Sequence, residues 1–382
     1  MKIIAAVYSH PEYYPPTLNA IEQLSKHAEK IVILHRNVKS KEWKYPKNVS
    51  LRSSGKFKNI VETQDENIFW KVFSFISFSI IFLKTLIIEK PDWVVCYDAI
   101  PLLSFRITSY FFVRKPKLWY HNHDVLEFKN TRPFSVSRLA FRSEKAYFKK
   151  IDLFTLPANE RKASFPMDEL KGSYIYIPNY PSLEFTRKEQ HLNLDKKNID
   201  FIFQGTISGY HGLEDILYTI PHLNQELNKN FRLILKGFIS KDYAEHLRSI
   251  AAENQIVKSL IIIGVGPYKE IFEISSKCDI GLAIHKADDL MNKTLATSSN
   301  KIYEYIAVGL PVLLYDNEHF ASHLKKRTWA FFTDTTRESI IENVKVILTS
   351  YDACSKSALA DFKNELNFES NFSSVIPYLL EK

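Results

Sequence analysis

Residue types that can do chemistry gather at a few places in this chain, and the densest is Ser298 to Leu314, S-S-N-K-I-Y-E-Y-I-A-V-G-L-P-V-L-L. Ser298 and Ser299 are helix N-cap residues; Ile302, Tyr305 and Ile306 recur at helical spacing, Gly309 suits a C′ position and Pro311 forbids continuation. A helix start presents unpaired N–H groups and the positive end of a dipole, so it receives anions. With Ser299 as N-cap, Glu304 lies about 7 Å further along the axis at about 1.5 Å per residue. A pyrophosphate on the amides of Ser299, Asn300 and Lys301 would leave a ribose near Glu304, whose carboxylate accepts from adjacent hydroxyls. The alternative is a solvated Glu304 paired with Asn300 or Lys301, and spacing alone does not choose.

A second group is the turn G-T-I-S-G-Y-H-G, which holds Gly205, Gly209 and Gly212, three of only ten glycines. Such a turn lets backbone approach a ligand closely. Thr206 and His211 lie in it, and Lys236 leaves the apolar run F-R-L-I-L-K-G nearby. A cation there could neutralise charge on a departing phosphate, or simply reach solvent. His285, Lys286 and Lys293, in the polar stretch before Ser298, are further candidates for sugar or phosphate contact.

The third group lies in the first half. H-N-H-D follows an apolar run, and His121, His123 and Asp124 are too close in sequence to converge readily on one ion, so no metal is expected. S-H-P-E-Y-Y-P-P follows the first strand, which makes His10, Glu12 and Tyr13 candidates for acceptor contact. No G-x-G-x-x-G stands at that strand end, which argues against nicotinamide and flavin chemistry.

The elements that must position these groups alternate. Lys2 to Tyr8, Thr17 to Glu29 and Ile31 to His35 read as β-α-β; positions 36–60 are polar and unassigned; the alternation then resumes and restarts after a polar run at 186–198. At 382 residues, with 45% hydrophobic and 25% charged residues, two globular domains fit. Cys96, Cys278 and Cys354 have neither metal nor disulfide spacing, and the N-terminus reads as a strand with no signal-peptide cleavage site, so a cytoplasmic home is expected. The net charge of +8, spread along the chain, favours a nucleotide ligand and anionic lipid over nucleic acid. The uncharged run from Val72 to Leu83 spans only about 18 Å as a helix, too short to cross a bilayer. It reads as a buried helix, with docking on a lipid surface as the alternative.

N-K-I-Y-E-Y-I-A-V-G-L-P-V resembles the donor-binding signature of GT-B glycosyltransferases, the family-four-like group in particular, and N-H-D and I-P-N-Y-P support the likeness. The resemblance implies an α/β fold of two Rossmann-like domains facing each other across a cleft: an acceptor domain at 1–185, a linker at 186–198, a nucleotide-sugar domain at 199–354, and a C-terminal segment at 355–382 returning to the first domain. It implies that Glu304 holds the ribose and that Ser298, Ser299, Asn300 and Lys301, with Gly205, Thr206, His211 and Lys236, surround the diphosphate. His123 with Asp124 would contact the transferred sugar and, with Lys236, form the catalytic group. The chain departs from the pattern at Thr297, where relatives often carry a second Glu, and at Thr206 and His211, where they carry basic residues.

The expected activity is transfer of a sugar from a nucleotide-diphosphate donor to a saccharide or lipid-linked saccharide hydroxyl, with retention and without metal or other cofactor. Cell-surface polysaccharide synthesis at the inner face of the membrane is the expected setting. A sugar-nucleotide epimerase of the same fold and a non-catalytic partner subunit are the alternatives.

Overall fold

A computed structural model describes residues 1–38, 43–58, 67–125, 128, 131–186, 196–286 and 294–380. The chain divides into two units, Met1–Pro178 with Asn371–Lys382, and Asn179–Ser370. The division precedes the polar run at 186–198 because Tyr180 already packs in the second unit's core, against Tyr303. The last stretch is also shared: Ala358, Phe362 and Leu366 join that same core, and only residues from Asn371 onward belong to the first unit.

The first unit is one seven-stranded parallel sheet in the order β3-β2-β1-β4-β5-β6-β7. Its strands are β1 (Lys2–Val7), β2 (Lys30–Val38), β3 (Val49–Lys58), β4 (Trp93–Tyr97), β5 (Lys117–His121), β6 (Leu153–Leu156) and β7 (Ser173–Tyr176). Apolar runs such as I-I-A-A-V and W-V-V-C-Y are buried throughout, as strands covered on both faces must be. β3 falls in the stretch left unassigned from sequence; it is an edge strand, with Leu51 exposed and Ser54 buried. The helices are α1 (Pro15–Ser25), α2 (Ile68–Glu89), α3 (Ala99–Thr108) and α4 (Val136–Tyr147). Order along the sheet reverses between β1 and β4, so the loops leaving these two strands diverge and open a crevice at their carboxyl ends.

α2 corrects the reading of the Val72 to Leu83 run. It has 22 residues, begins at Asn67, whose side chain accepts from the Trp70 amide at 3.0 Å, and stops at Lys90 in the left-handed conformation, φ 46°, before Pro91. Lys71 and Lys84 do not end it. It is long and apolar enough to cross a membrane by length and composition, yet only 33% of its apolar window is buried, so it is not the enclosed core helix expected.

The second unit is a six-stranded parallel sheet in the order β10-β9-β8-β11-β12-β13. Its strands are β8 (Asn198–Ile207), β9 (Asn230–Ile239), β10 (Leu260–Ile263), β11 (Ile280–Ala283), β12 (Val312–Tyr315) and β13 (Ala330–Thr333). The main helices are α5 (Leu213–Leu227), α6 (Lys241–Glu253), α7 (Tyr268–Ser275), α8 (Asn300–Ala307), α9 (Glu318–Leu324), α10 (Arg337–Thr349) and α11 (Tyr351–Asn364), with short α12 (Phe368–Phe372) and α13 (Ile376–Leu380) closing the chain. Here the order reverses between β8 and β11. β8 runs through Gly205 and Thr206 to Ile207, further than expected; Ser208 to Gly212 leaves it and His285 follows β11, so the glycine turn and this histidine share one crevice.

Candidate functional site

α8 forms where the sequence places it. Ser299 has extended backbone, φ −80° and ψ 120°, and Gly309 follows with φ 78°. No side chain caps α8, and the Ser299 amide already donates to the Leu295 carbonyl at 3.0 Å. The first amides of α8 that could face a ligand are therefore those of Asn300 and Lys301, one residue later than expected. Gly281 lets α8 lie on β11, because a Cβ there would stand 2.4 Å from the Tyr305 ring.

Glu304 is buried, 4% exposed, and accepts from Gln204 Nε2 at 2.6 Å and from the Tyr268 hydroxyl. Gln204 in turn accepts from Ser275 Oγ at 2.8 Å, so the carboxylate is fixed by a chain of side chains from β8 and α7. Burial lifts the Glu304 carboxyl to about 7, against the pull of these two donors and of Lys301. A carboxylate has about four lone-pair directions, and two protein donors leave room for a diol.

Lys301 is three residues back on the same face of α8. Its ammonium is 4.1 Å from the centre of the Phe203 ring, and a Cβ on Gly205 would stand 3.8 Å from its Cε. Desolvation brings this ammonium down to about 7, with Glu304 acting the other way. No carboxylate lies within ion-pair distance of it among the described residues.

Lys236, by contrast, is buried and paired with Glu270 at 2.7 Å. Its strand register explains this: it lies opposite Gln204 and points at α7, so its cation already has a partner. His211 is not a cation either. Its Nδ1 accepts from the Ser208 amide at 3.2 Å in a capping box, and burial, with Lys301 second, holds the imidazole down at about 3. Lys286 is ion-paired with Asp215. The Thr297 hydroxyl turns back to the Thr294 carbonyl at 3.4 Å, and Lys293 lies outside the described residues.

His285 sits 5.0 Å from His211, centroid to centroid. It is buried, and neither ring nitrogen has a hydrogen-bond partner among the described residues. Desolvation, then Lys301, keeps it neutral. An unpaired buried imidazole costs free energy and marks a place where a ligand's polar atoms fit. Beside it the end of β8 carries little bulk: Gly205 has φ 107°, Thr206 is exposed, and β9 packs so closely that a Cβ on Gly237 would stand 2.0 Å from the Gly205 carbonyl oxygen.

In the first unit, the H-N-H-D and S-H-P-E-Y-Y loops meet at the crevice. His123 stacks between Tyr14 at 5.5 Å and Tyr97 at 5.4 Å. Its Nε2 lies 2.9 Å from Thr17 Oγ1 and its Nδ1 lies 3.2 Å from His121 Nε2, while His121 Nδ1 lies 2.7 Å from Thr155 Oγ1. Burial drives His123 well below the ordinary histidine range, so it is a neutral hydrogen-bonding group. Asp124 is exposed beside it.

Two residues not singled out from sequence hold this loop. Asp98, with φ 68°, accepts from the amides of His123 at 2.7 Å and Asp124 at 3.3 Å, and Arg161 donates to the His123 carbonyl at 2.6 Å. Asp98 directly follows β4 and Arg161 lies in the short helical stretch Asn159–Ser164 after β6, so folding alone brings them to this loop. His10 and Glu12 are buried, their loop folded so that His10 Nδ1 accepts from the Glu12 amide at 3.4 Å; Tyr13 is the residue of the three that is half-exposed.

Two parallel α/β units of this topology are the GT-B glycosyltransferase fold. Solved structures agree over the whole length. Sucrose-phosphate synthase from Thermosynechococcus elongatus superposes with a TM-score of 0.70 at 11% identity, covering 99% of this chain and 98% of that one. HepE from Anabaena in complex with UDP gives 0.67 at 12% identity, covering 99% of each. The lipopolysaccharide outer core galactosyltransferase WaaB gives 0.60 at 13% identity, covering all of both. No curated protein matches the sequence.

These likenesses establish the fold; in the sequence, residues 184–359 match the model of glycosyl transferases group 1. That match, within the second unit, supports reading the chain as a glycosyltransferase.

Proposed function

We propose that this chain transfers a sugar from a uridine diphosphate donor to a hydroxyl of a saccharide or lipid-linked saccharide, in building a cell-surface polysaccharide. The reading rests on one observation above all: Lys301, with no carboxylate partner among the described residues, shares a helix face with a fixed carboxylate, Glu304, and adjoins the unpartnered imidazole of His285. Ribose hydroxyls donate to Glu304. The diphosphate accepts from Lys301, from the amides of Asn300 and Lys301, and from backbone near the end of β8 at Gly205 and Thr206. Lys301 thus takes the role first given to Lys236, and His285 donates to a phosphate or sugar oxygen. The UDP bound to HepE and the lipopolysaccharide substrate in WaaB's name support the donor and acceptor classes.

In the reaction the bond from the anomeric carbon to the phosphate oxygen breaks, and the acceptor oxygen bonds to that carbon. The acceptor proton passes to the departing phosphate if configuration is retained. Charge builds on the diphosphate, so Lys301 and the helix amides lower the barrier most, with no metal required. On the first unit, His123 and Asp124 are the candidates for sugar contact and Tyr13 for acceptor contact.

The test is a thermal-shift panel of UDP, GDP, ADP, TDP and CMP, then transfer assays with sugars of the nucleotide that binds. A ligand at 100 times its Kd stabilises the fold by about 2.7 kcal/mol. Stabilisation by UDP and product only with acceptor are expected. Turnover of UDP-sugar without acceptor would indicate an epimerase, and UDP binding with no turnover a non-catalytic subunit.

A further inference from the structure

α2 carries two apolar faces. Phe75, Phe78, Phe82 and Leu86 are buried in the first unit's core. The other face holds Phe69, Phe73, Ile76, Ile80 and Ile87, three, four or seven residues apart, with Phe69 81% and Phe73 61% exposed. An apolar stripe this long on a helix surface marks an interaction site. Past the end of α3, Tyr110, Phe111 and Val113 are also exposed and run straight into exposed Arg114 and Lys115. These follow α3, which packs between α2 and α4.

Charge identifies the partner. α2, α3 and α4 carry six basic residues, Lys71, Lys84, Arg106, Arg138, Arg142 and Lys145, and only two acids, Glu89 and Glu144. Both acids are buried: Glu89 is held by Lys30 at 2.7 Å and by Arg52 at 2.5 Å, and Glu144 accepts from the Tyr120 hydroxyl. The helices therefore show apolar side chains and positive charge with no exposed carboxylate of their own. A second copy docked face to face would oppose like charges, at a cost. A span is excluded by packing, since crossing the bilayer would pull Phe78 and Phe82 out of the core. We infer that this face seats the protein on an anionic bilayer, with α2 lying in the plane of the interface and the cations of α4 meeting lipid phosphate.

The test uses the full chain with vesicles of phosphatidylcholine alone or with 30% phosphatidylglycerol by design. Sedimentation with the anionic vesicles at low salt, and release as salt rises, is expected. Replacing Arg138, Arg142 and Lys145 by Gln should weaken partitioning about fivefold per charge, on the order of 100-fold together. Phe73→Ser with Ile80→Ser should weaken it by about tenfold or more per side chain. These side chains are not enclosed, and circular dichroism checks that the variants fold.

Lipids brominated in their acyl chains should quench Trp70, which is 57% exposed in the first turn of α2, and the quenched part should vanish in Trp70→Phe. No sedimentation at low salt, equal binding to neutral vesicles, or a dimer abolished by the Phe73→Ser and Ile80→Ser pair would each overturn the inference. No nucleotide enters the assay, so its outcome is independent of the donor reading.

Discussion

Replacing Glu304 by Gln isolates the carboxylate on which donor binding is proposed to depend. The side chain keeps its shape, and its amide oxygen can still accept from Gln204 Nε2, now 2.6 Å from the carboxylate. A ribose diol donates two hydrogen bonds to a charged acceptor, each worth about 1.5–3 kcal/mol, and the amide keeps part of this. The expected loss is about 2–3 kcal/mol, which weakens UDP binding by about 30- to 150-fold. Titration calorimetry measures it. The pH dependence sharpens the test: the Glu304 carboxyl lies at about 7 in the free protein, so the wild type loses its advantage as pH falls through 7. The ratio of wild-type to variant affinity, in which the titration of UDP cancels, should fall up to tenfold per pH unit below that point. Removing a buried acid should leave the melting temperature of the free protein unchanged or raised. UDP affinity within threefold of wild type at pH 8, in a folded variant, would refute the reasoning.

Lys301→Met keeps the chain against Phe203 and removes the charge; UDP should bind about 10- to 150-fold more weakly at pH 6, and the difference should fade as pH rises through about 7, where the lysine loses its proton. Gly237→Ala places a Cβ 2.0 Å from the Gly205 carbonyl oxygen at φ 139°, and should destabilise the fold by about 2–4 kcal/mol in denaturant unfolding. Glu144→Gln tests buried charge in the first unit. Folding raises that carboxyl from 4.5 to about 7, so wild-type stability is full below pH 4.5 and declines as pH climbs through 7. The variant lacks this decline, so its stability relative to wild type should rise by about 3 kcal/mol between pH 4.5 and pH 8.

The sheets were readable because buried parallel strands are short, continuous apolar runs, and α8 because cap, period and stop signals agree. The H-N-H-D loop lies at its expected strand end, but β8 runs on to Ile207, so Gly205 and Thr206 are strand residues and the turn holds only Gly209 and Gly212. What escaped has physical reasons. β3 is polar because an edge strand is covered on fewer sides. The ends of α2 were hidden because long lysine side chains reach solvent from a helix that otherwise reads as ending at them. Whether Lys236 or Lys301 presents a free ammonium depends on Glu270, which is 34 residues from the first and joined to it only by folding. Asp98 owes its role to a left-handed backbone and two distant amides, and a single sequence records neither.

The chain leaves the first unit at Pro178 and comes back to it at Asn371. Phe372, 1% exposed and 5.9 Å from Trp119, belongs to the returning piece. The first unit is therefore complete only once the residues from Asn371 onward are made, and until then apolar surface meant for Phe372 stays uncovered. A stop codon at position 371 would spare the second unit and damage the first, which is made before it, so chaperone demand and proteolysis should report a late truncation as a defect in the earlier unit.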